Sequence, residues 1–385
     1  MPKILRITTV PISLNILLKG QLRFMREKGF EVVTASANGN EVSQIVEREV
    51  VTHHQIDFTR TLSPFRDLKA LFQLIKLIKK ERPEIVHTHT PKAGLLGMMA
   101  SWFCKVPIRM HTVAGMPLME ATGLSRTILN FTERITYYCA HKVYPNSFHL
   151  LKYMEAHFPH FSNKYKVLAK GSSNGINTNH FNRTALGNHD LNALRSQLEI
   201  PEGAVVASFV GRMVHDKGIH ELIDAFTEIE QNDFHLVLVG PYEDQREPLE
   251  QAYKEEIKAN PRIHHVGFQK DIRPYLAISD FFVFPSYREG FPNVVMQAAA
   301  MDLPCIVTDI NGSNEIIEDG NNGLIVPVKN AVLLKVAMEK LISDDSFRKV
   351  MASNARQSIV ENYQQETVWN AILKEYQQLL SNGIR

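Results

Sequence analysis

Two segments carry residues able to handle an anion. In Phe209-Val-Gly-Arg-Met-Val-His-Asp-Lys-Gly218 an apolar run ends at Gly211, Arg212 and Lys217 follow, and Gly218 opens a stretch with Leu222, Ile223 and Phe226 at helical spacing. A helix start offers free N–H groups to an anion, and two nearby cations deepen that site. A plain strand–turn–helix with solvated charges would look similar. Gly-x-x-x-x-Gly-Lys-Ser/Thr does not occur, which excludes a Walker loop. In the second segment, Pro285–Ala300, Glu289-Gly290-Phe291-Pro292-Asn293-Val294 leads from another apolar run into a small-residue helix, with Gln297 about two turns on. A carboxylate beside an anion cradle suits the hydroxyls of a sugar attached to a phosphate.

The elements that must position these residues follow an α/β grammar. Strand-like runs in the first half are Ile4–Thr8, Glu31–Ala35, Ile85–Thr88, Arg109–Val113 and Lys142–Pro145. In the second half they are Val205–Val210, Leu236–Val239, Phe281–Phe284, Cys305–Thr308 and Leu324–Val326. Near-continuous apolar runs fit strands buried on both faces, and alternation with amphipathic segments fits parallel sheets. Leu68, Leu71, Phe72, Ile75 and Ile78 mark one such helix, with Lys69, Lys76, Lys79 and Lys80 on its other turns. Gly171–Phe181, rich in turn formers, is the expected hinge. The expected domains are 1–182, joined by a final helix over about 365–385, and 183–364. Ligands of such sheets bind outside the carboxyl ends of the strands.

The chain has 385 residues, 44% hydrophobic and 22% charged, as in soluble globular enzymes. Disorder, collagen-like structure and coiled coil are excluded as the main state. The net charge of +2 conceals a division: residues 1–182 carry +12 and residues 183–385 carry −10. Such asymmetry suits either an anionic surface facing one half or the docking of two oppositely charged halves. Nucleic acid is a poor fit, because neither a known motif nor aromatic interleaving accompanies the basic residues. Cys104, Cys139 and Cys305 lie in apolar stretches and read as free thiols of a reducing compartment. Lys3–Ile7 reads as a first strand and not as a signal peptide. The longest apolar stretch, Gly94–Cys104, is shorter than the ~20 residues of a membrane span. A cytoplasmic protein, peripheral at the inner face of the plasma membrane, is expected.

Glu289, seven residues, then Gln297 resembles the Glu-x7-Glu motif of the retaining family 4 glycosyltransferases, and Glu-Gly-Phe-Pro-Asn is typical of them. Gly211-Arg212 with Lys217-Gly218 is similar to their diphosphate-binding pair. Asn174-Gly175-Ile176 resembles their interdomain segment, and Pro285-Ser286, Asn322-Gly323 and the final helix also fit. The resemblance covers nearly the whole chain. It implies an α/β GT-B fold, two doubly wound Rossmann-like domains facing across a cleft. By it, Arg212 and Lys217 neutralise the leaving diphosphate, Glu289 holds donor-sugar hydroxyls, and Gly211 and Gly290–Val294 help cradle the donor. Gln297 stands where a ribose-binding Glu is usual, so the ribose grip loses a charge. Tyr242, Glu243 and Phe268 belong to loops where a nucleotide base would rest, and the branch implies UDP.

The amino-terminal half departs more. Pro11-Ile12-Ser13-Leu14 replaces the usual Gly-Gly turn and makes Ser13 an acceptor-side candidate. Ala114 replaces a usual sugar-contacting His, leaving His111 as a substitute or as a core histidine. His87 and His89 share a strand face but have no third ligand, so no metal site is expected. His89-Thr-Pro-Lys-Ala-Gly94 resembles bacterial members acting on polyprenyl-diphosphate-linked sugars. Lys92 is then a candidate for the acceptor diphosphate, or a solvated helix-start lysine. No Asp-x-Asp occurs. The resemblance implies metal-independent, retaining transfer of a hexose or N-acetylhexosamine from a UDP-sugar to a polyprenyl-diphosphate-linked saccharide, for capsule, O-antigen or a related surface glycan. No cofactor is expected. The implied partners are the nucleotide-sugar, the lipid-linked acceptor and an anionic membrane touching the basic domain. A UDP-sugar epimerase of the same fold and a non-catalytic sugar-nucleotide binder, suggested by Gln297 and Ala114, remain the alternatives.

Overall fold

The computed structural model describes all residues except 60, 62, 187–189, 244–247 and 384–385. The chain divides into two compact units: Met1–Gly175 with Glu366–Arg385, and Ile176–Gln365.

In the amino-terminal unit six parallel strands, β1 (Lys3–Ile7), β2 (Glu31–Ser36), β3 (Thr52–Gln55), β4 (Ile85–His89), β5 (Ile108–Val113) and β6 (Lys142–Pro145), lie in the order β3-β2-β1-β4-β5-β6. Leu5 pairs with Val33 on one side and Val86 on the other, so β1 is central, and Ile4 to Ile7 are buried. The final helix, Gln365–Asn382, closes this unit. Its Val368, Ile372, Tyr376 and Leu379 recur at helical spacing, are buried, and pack with Ile4, Val32, Met110 and Tyr144.

The carboxyl-terminal unit repeats the plan with β7 (Val205–Val210), β8 (Phe234–Val239), β9 (Ile263–Gly267), β10 (Phe281–Phe284), β11 (Cys305–Thr308) and β12 (Gly323–Val326), ordered β12-β11-β10-β7-β8-β9. Phe209, Phe226, Phe234, Phe281 and Phe282 are fully buried, each contributing about 1.5–3 kcal/mol. The Phe234 and Phe281 rings stack at 5.8 Å between centroids. Both sheets have the doubly wound order, in which the connection reverses between β1 and β4 and between β7 and β10.

Two strands have no counterpart among the expected runs, β3 (Thr-His-His-Gln) and β9 (Ile-His-His-Val-Gly). Both are edge strands, only partly covered, and an edge position does not demand a continuous apolar run. The unit boundary falls earlier than expected, between Gly175 and Ile176. Asn174 is held in the amino-terminal unit: its Oδ1 accepts from Gln21 Nε2 (3.1 Å) and Trp369 Nε1 (2.7 Å). Ile176 is already laced into the other unit, its N–H donating to the Tyr363 carbonyl (2.7 Å) and its carbonyl accepting from Gln365 N (3.0 Å).

Candidate active site

Strands β7 and β10 are neighbours at the switch point of the carboxyl-terminal sheet, and each releases one of the chemistry-bearing loops from its carboxyl end. The loops touch because Gly218 has no side chain. Its φ is +69°, and a Cβ there would lie 2.1 Å from the Pro285 carbonyl oxygen. Tyr287 N donates to the Asp216 carbonyl (2.9 Å) and Arg288 Nε to Asp216 Oδ2 (2.9 Å). Tyr287 Oη lies 2.7 Å from both carboxylate oxygens of Glu221, on the following helix Ile219–Thr227. Asp216, Glu221, Tyr287 and Arg288 thus lock the two loops together. Three of them lie inside the quoted motifs or next to them, but only the folded chain reveals the pairing.

This lock brings Lys217 against Glu289. Their ammonium and carboxylate form an ion pair, Ser286 Oγ lies 3.2 Å from Glu289 Oε1, and the Lys217 ammonium sits 5.5 Å above the Phe284 ring centroid. Both side chains are mostly covered, where charges interact more strongly than in water. Arg212 is more exposed and pairs with Glu243, which leads out of β8. Gly211, between them, adjoins Gly240: a Cβ on Gly240 would lie 1.8 Å from the Gly211 carbonyl oxygen.

Beyond Glu289 the backbone is held from below. Asn311 Nδ2 donates to the carbonyls of Glu289 (3.1 Å) and Gly290 (2.8 Å). The next helix, Asn293–Ala300, begins after Pro292 with no side-chain cap. The N–H groups of its first turn, from Asn293 and Val294, are therefore available to an anion. Gln297, one turn further in, is half-buried and has no side-chain hydrogen bond among the described residues. Phe291 packs on Tyr363 (5.5 Å). Phe268 projects from the turn after β9, 74% exposed. Tyr242 rests on His265, ring centroids 4.5 Å apart. The remainder of that loop, 244–247, lies outside the described residues.

The amino-terminal candidates do not share one role. Ser13 is half-buried in the helix Pro11–Leu17. Lys92 is neither solvated nor free: its ammonium pairs with Asp67 (2.7 Å) and donates to Thr59 Oγ1 (2.9 Å) and the Thr61 carbonyl (2.6 Å). It is a tether between the helix Pro91–Phe103 and the segment before the helix Pro64–Glu81. His111 is 2% exposed, with Nδ1 2.8 Å from Thr88 Oγ1. A Cβ on Gly94 would lie 2.4 Å from its ring, and burial pulls its pKa down to about 4. Of the two readings of His111, the core histidine is the one found. His87 and His89 stack at 4.5 Å, and among the described residues no group of three or more His, Cys, Asp or Glu is arranged to hold a metal.

Residues 6–147 match the family model of glycosyl transferase 4-like proteins, and residues 190–358 match that of glycosyl transferases group 1. A capsular polysaccharide biosynthesis glycosyltransferase of Staphylococcus aureus, CapM, is 33% identical over 383 residues, spanning 99% of this chain and 98% of the relative. The chain is a family 4 glycosyltransferase. Its relatives place this glycosyltransferase in cell-surface glycan synthesis. It is also 29% identical over 311 residues to the UDP-Gal:alpha-D-GlcNAc-diphosphoundecaprenol alpha-1,3-galactosyltransferase of Escherichia coli, spanning 79% of this chain and 78% of that one. The GT-B fold is shared with a glycosyltransferase of Rickettsia africae (TM-score 0.83, 21% identity, 99% of each chain). It is shared as well with the Anabaena protein HepE solved in complex with UDP (TM-score 0.80, 18% identity, 98% of this chain and 100% of that one).

Proposed function

We propose that this glycosyltransferase moves a hexose or N-acetylhexosamine, with retention and without a metal, from a UDP-sugar to a polyprenyl-diphosphate-linked saccharide. The observation that carries the proposal is the Lys217–Glu289 pair, set at the β7/β10 switch point beside the uncapped helix start at Asn293. The E. coli relative, named for a UDP-sugar donor and a diphosphoundecaprenol acceptor, supports the choice of substrates.

In this reaction the bond from the sugar's anomeric carbon to the β-phosphate oxygen breaks. A bond to the acceptor hydroxyl forms on the same face. The hydroxyl proton passes to the departing phosphate oxygen, so no protein base is needed. Charge accumulates on the diphosphate, where Lys217, Arg212 and the N–H groups of Asn293 and Val294 oppose it. Electrostatic stabilisation of that kind is usually the largest catalytic contribution. Glu289 holds the donor sugar's hydroxyls while its charge fixes the Lys217 ammonium.

The acceptor's lipid requires the enzyme to work at a membrane. Among the described residues no helix is long and apolar enough to cross one. The helices Pro64–Glu81, Pro91–Phe103 and Gly123–Cys139 pack side by side in the amino-terminal unit, and their outer faces expose Phe65, Phe72, Phe103, Leu124, Phe131 and Tyr138. Lys79 lies over the Phe103 ring (5.8 Å), within a cluster of exposed lysines. Apolar side chains beside basic ones suit the anionic inner face of the plasma membrane.

The test is to incubate the protein with UDP-sugars and a short-chain polyprenyl-diphosphate sugar, with chelator, and to assign the product's anomeric configuration by NMR. An α-linked product from an α-linked donor is expected. Inversion, or loss of turnover with chelator, would overturn the mechanism. No transfer with any pair and no nucleotide binding would overturn the choice of substrates.

A further inference from the structure

Arg6 lies near the carboxyl end of β1 and is 1% exposed. Its Nη1 donates to Tyr376 Oη (2.7 Å), and its Nη2 faces Gln21 Oε1 (2.7 Å) and His89 Nε2 (2.9 Å). All three partners are neutral, and burial holds His89 far below its usual pKa. Among the described residues no carboxylate pairs with this guanidinium. Glu375, adjacent to Tyr376, is taken up by Tyr144 Oη (3.0 Å) and Lys166. A cation held out of water with no counter-charge is strongly unfavourable.

The hydrogen-bond directions follow from chemistry, because a guanidinium only donates. His89 therefore accepts at Nε2 and carries its hydrogen on Nδ1, an atom that has no partner among the described residues. Tyr376 Oη accepts from Arg6 and gives its own hydrogen to His87 Nδ1 (2.7 Å). His87 then donates from Nε2 to Thr112 Oγ1 (2.7 Å), which leaves Thr112 with a hydroxyl hydrogen to place. Two relays thus run outward from one buried charge.

Both end at the same cavity, of about 20 Å³, whose lining includes His89, Thr112, Asn146, Ser172 and Ser173. Ser173 Oγ has no partner among the described residues. Ser172 Oγ accepts from the N–H groups of Asn174 (3.4 Å) and Gly175 (3.0 Å), so its hydrogen is also unassigned. Among the described residues the lining therefore offers four such donors and one unpaired acceptor, Asn146 Oδ1. The volume admits one particle the size of a water. A neutral water would accept two of the donors and leave the Arg6 charge unopposed. A small anion meets both needs.

We propose that this cavity binds a single inorganic anion of halide size, which neutralises Arg6 through the His89 and Tyr376–His87–Thr112 relays. The site lies wholly within the amino-terminal unit and does not depend on the donor chemistry. It ties the final helix, through Tyr376, to the ends of β4 and β5. Thermal unfolding of the full chain is to be followed in sodium chloride and in sodium gluconate at equal ionic strength. A saturable rise in Tm with chloride alone is expected. Thr112→Val removes the last donor of one relay and should weaken the chloride dependence about tenfold. Crystals grown in bromide should show an anomalous peak beside His89 Nδ1. Identical melting in the two salts, or a peak without anomalous signal there, which would be water, overturns the proposal.

Discussion

Lys217 and Glu289 belong to loops leaving two different strands, yet their ammonium and carboxylate are joined in one ion pair at the carboxyl ends of β7 and β10. An ammonium has three hydrogens, and one contact with Glu289 leaves others to meet a diphosphate. The carboxylate also restrains the flexible lysine stem. The two residues thus act as one unit. Lys217→Ala should lower kcat about 10²–10³-fold, the scale for losing one preorganised group opposite developing charge. Glu289→Gln should be comparably damaging. The double variant should be less damaged than the product of the two single losses, because part of each residue's contribution depends on the other. Steady-state rates of UDP release on all four proteins check this, and additive losses would show two independent roles.

Gln297 lies half-buried on the helix Asn293–Ala300 with no side-chain partner among the described residues. Restoring a carboxylate there places a charged acceptor where the ribose hydroxyls are proposed to sit. Gln297→Glu should tighten donor binding by up to about tenfold, the difference between a neutral and a charge-assisted hydrogen bond. Calorimetric titration with UDP measures it. Unchanged affinity would separate this position from the ribose.

What the sequence made legible follows physical demand. Central strands such as β7 and β10 are covered on both faces, so their apolar runs stand out. The edge strands β3 and β9 carry His-His pairs and give no such signal. At the site, Arg212, Lys217 and Glu289 are recognisable because a short motif must place each one on its loop. The Asp216–Arg288 and Glu221–Tyr287 contacts are long-range pairings between ordinary polar residues, which no local spacing announces. His111 and Lys92 show the converse. Their types suggest chemistry, but burial beneath Gly94 and capture by Asp67 give them structural work.

Lys92→Met tests that reassignment. Removing the ammonium leaves Asp67 without its main partner in a half-covered setting and frees the segment around Thr59 and Thr61. A stability loss of about 1–3 kcal/mol is expected, with KM for the acceptor unchanged. Denaturant unfolding and acceptor-dependent rates, measured side by side, check both parts. A raised acceptor KM with unaltered stability would return Lys92 to the diphosphate.

Glu133, inside the helix Gly123–Cys139, provides a pH test. Burial pushes its carboxyl up to about 7, against a smaller opposing pull from the Tyr137 hydroxyl. The unfolded chain releases this proton near the usual value of 4.5, so between those values the native state binds more protons. Stability from this group is therefore complete below about pH 4.5 and is lost as the pH rises through 7. Glu133→Gln keeps the shape and removes the titration. It should raise Tm at pH 8, where the native carboxylate costs on the order of 3 kcal/mol, and change little at pH 4.5. Comparing variant with parent at each pH cancels the opposite trend of buried histidines such as His111, which lose stability as the pH falls from 6.5 towards 4. An equal gain at both values would mean that Glu133 is ionised throughout.

The exposed face of the amino-terminal unit decides between the two meanings of the hidden charge division. If the basic residues served only to attract an acidic partner domain, lipid would be irrelevant. On an anionic surface each juxtamembrane lysine contributes about 1 kcal/mol. Lys76, Lys79 and Lys80 are exposed on the helix that also presents Phe65 and Phe72. Changing all three lysines to Glu should reduce partitioning onto anionic vesicles by on the order of 10²-fold or more and remove its salt dependence. Vesicle co-sedimentation at low and high salt measures this. Equal binding to neutral vesicles would assign the contact to Phe65 and Phe72 instead, and no binding to either kind would leave the basic face to protein docking alone.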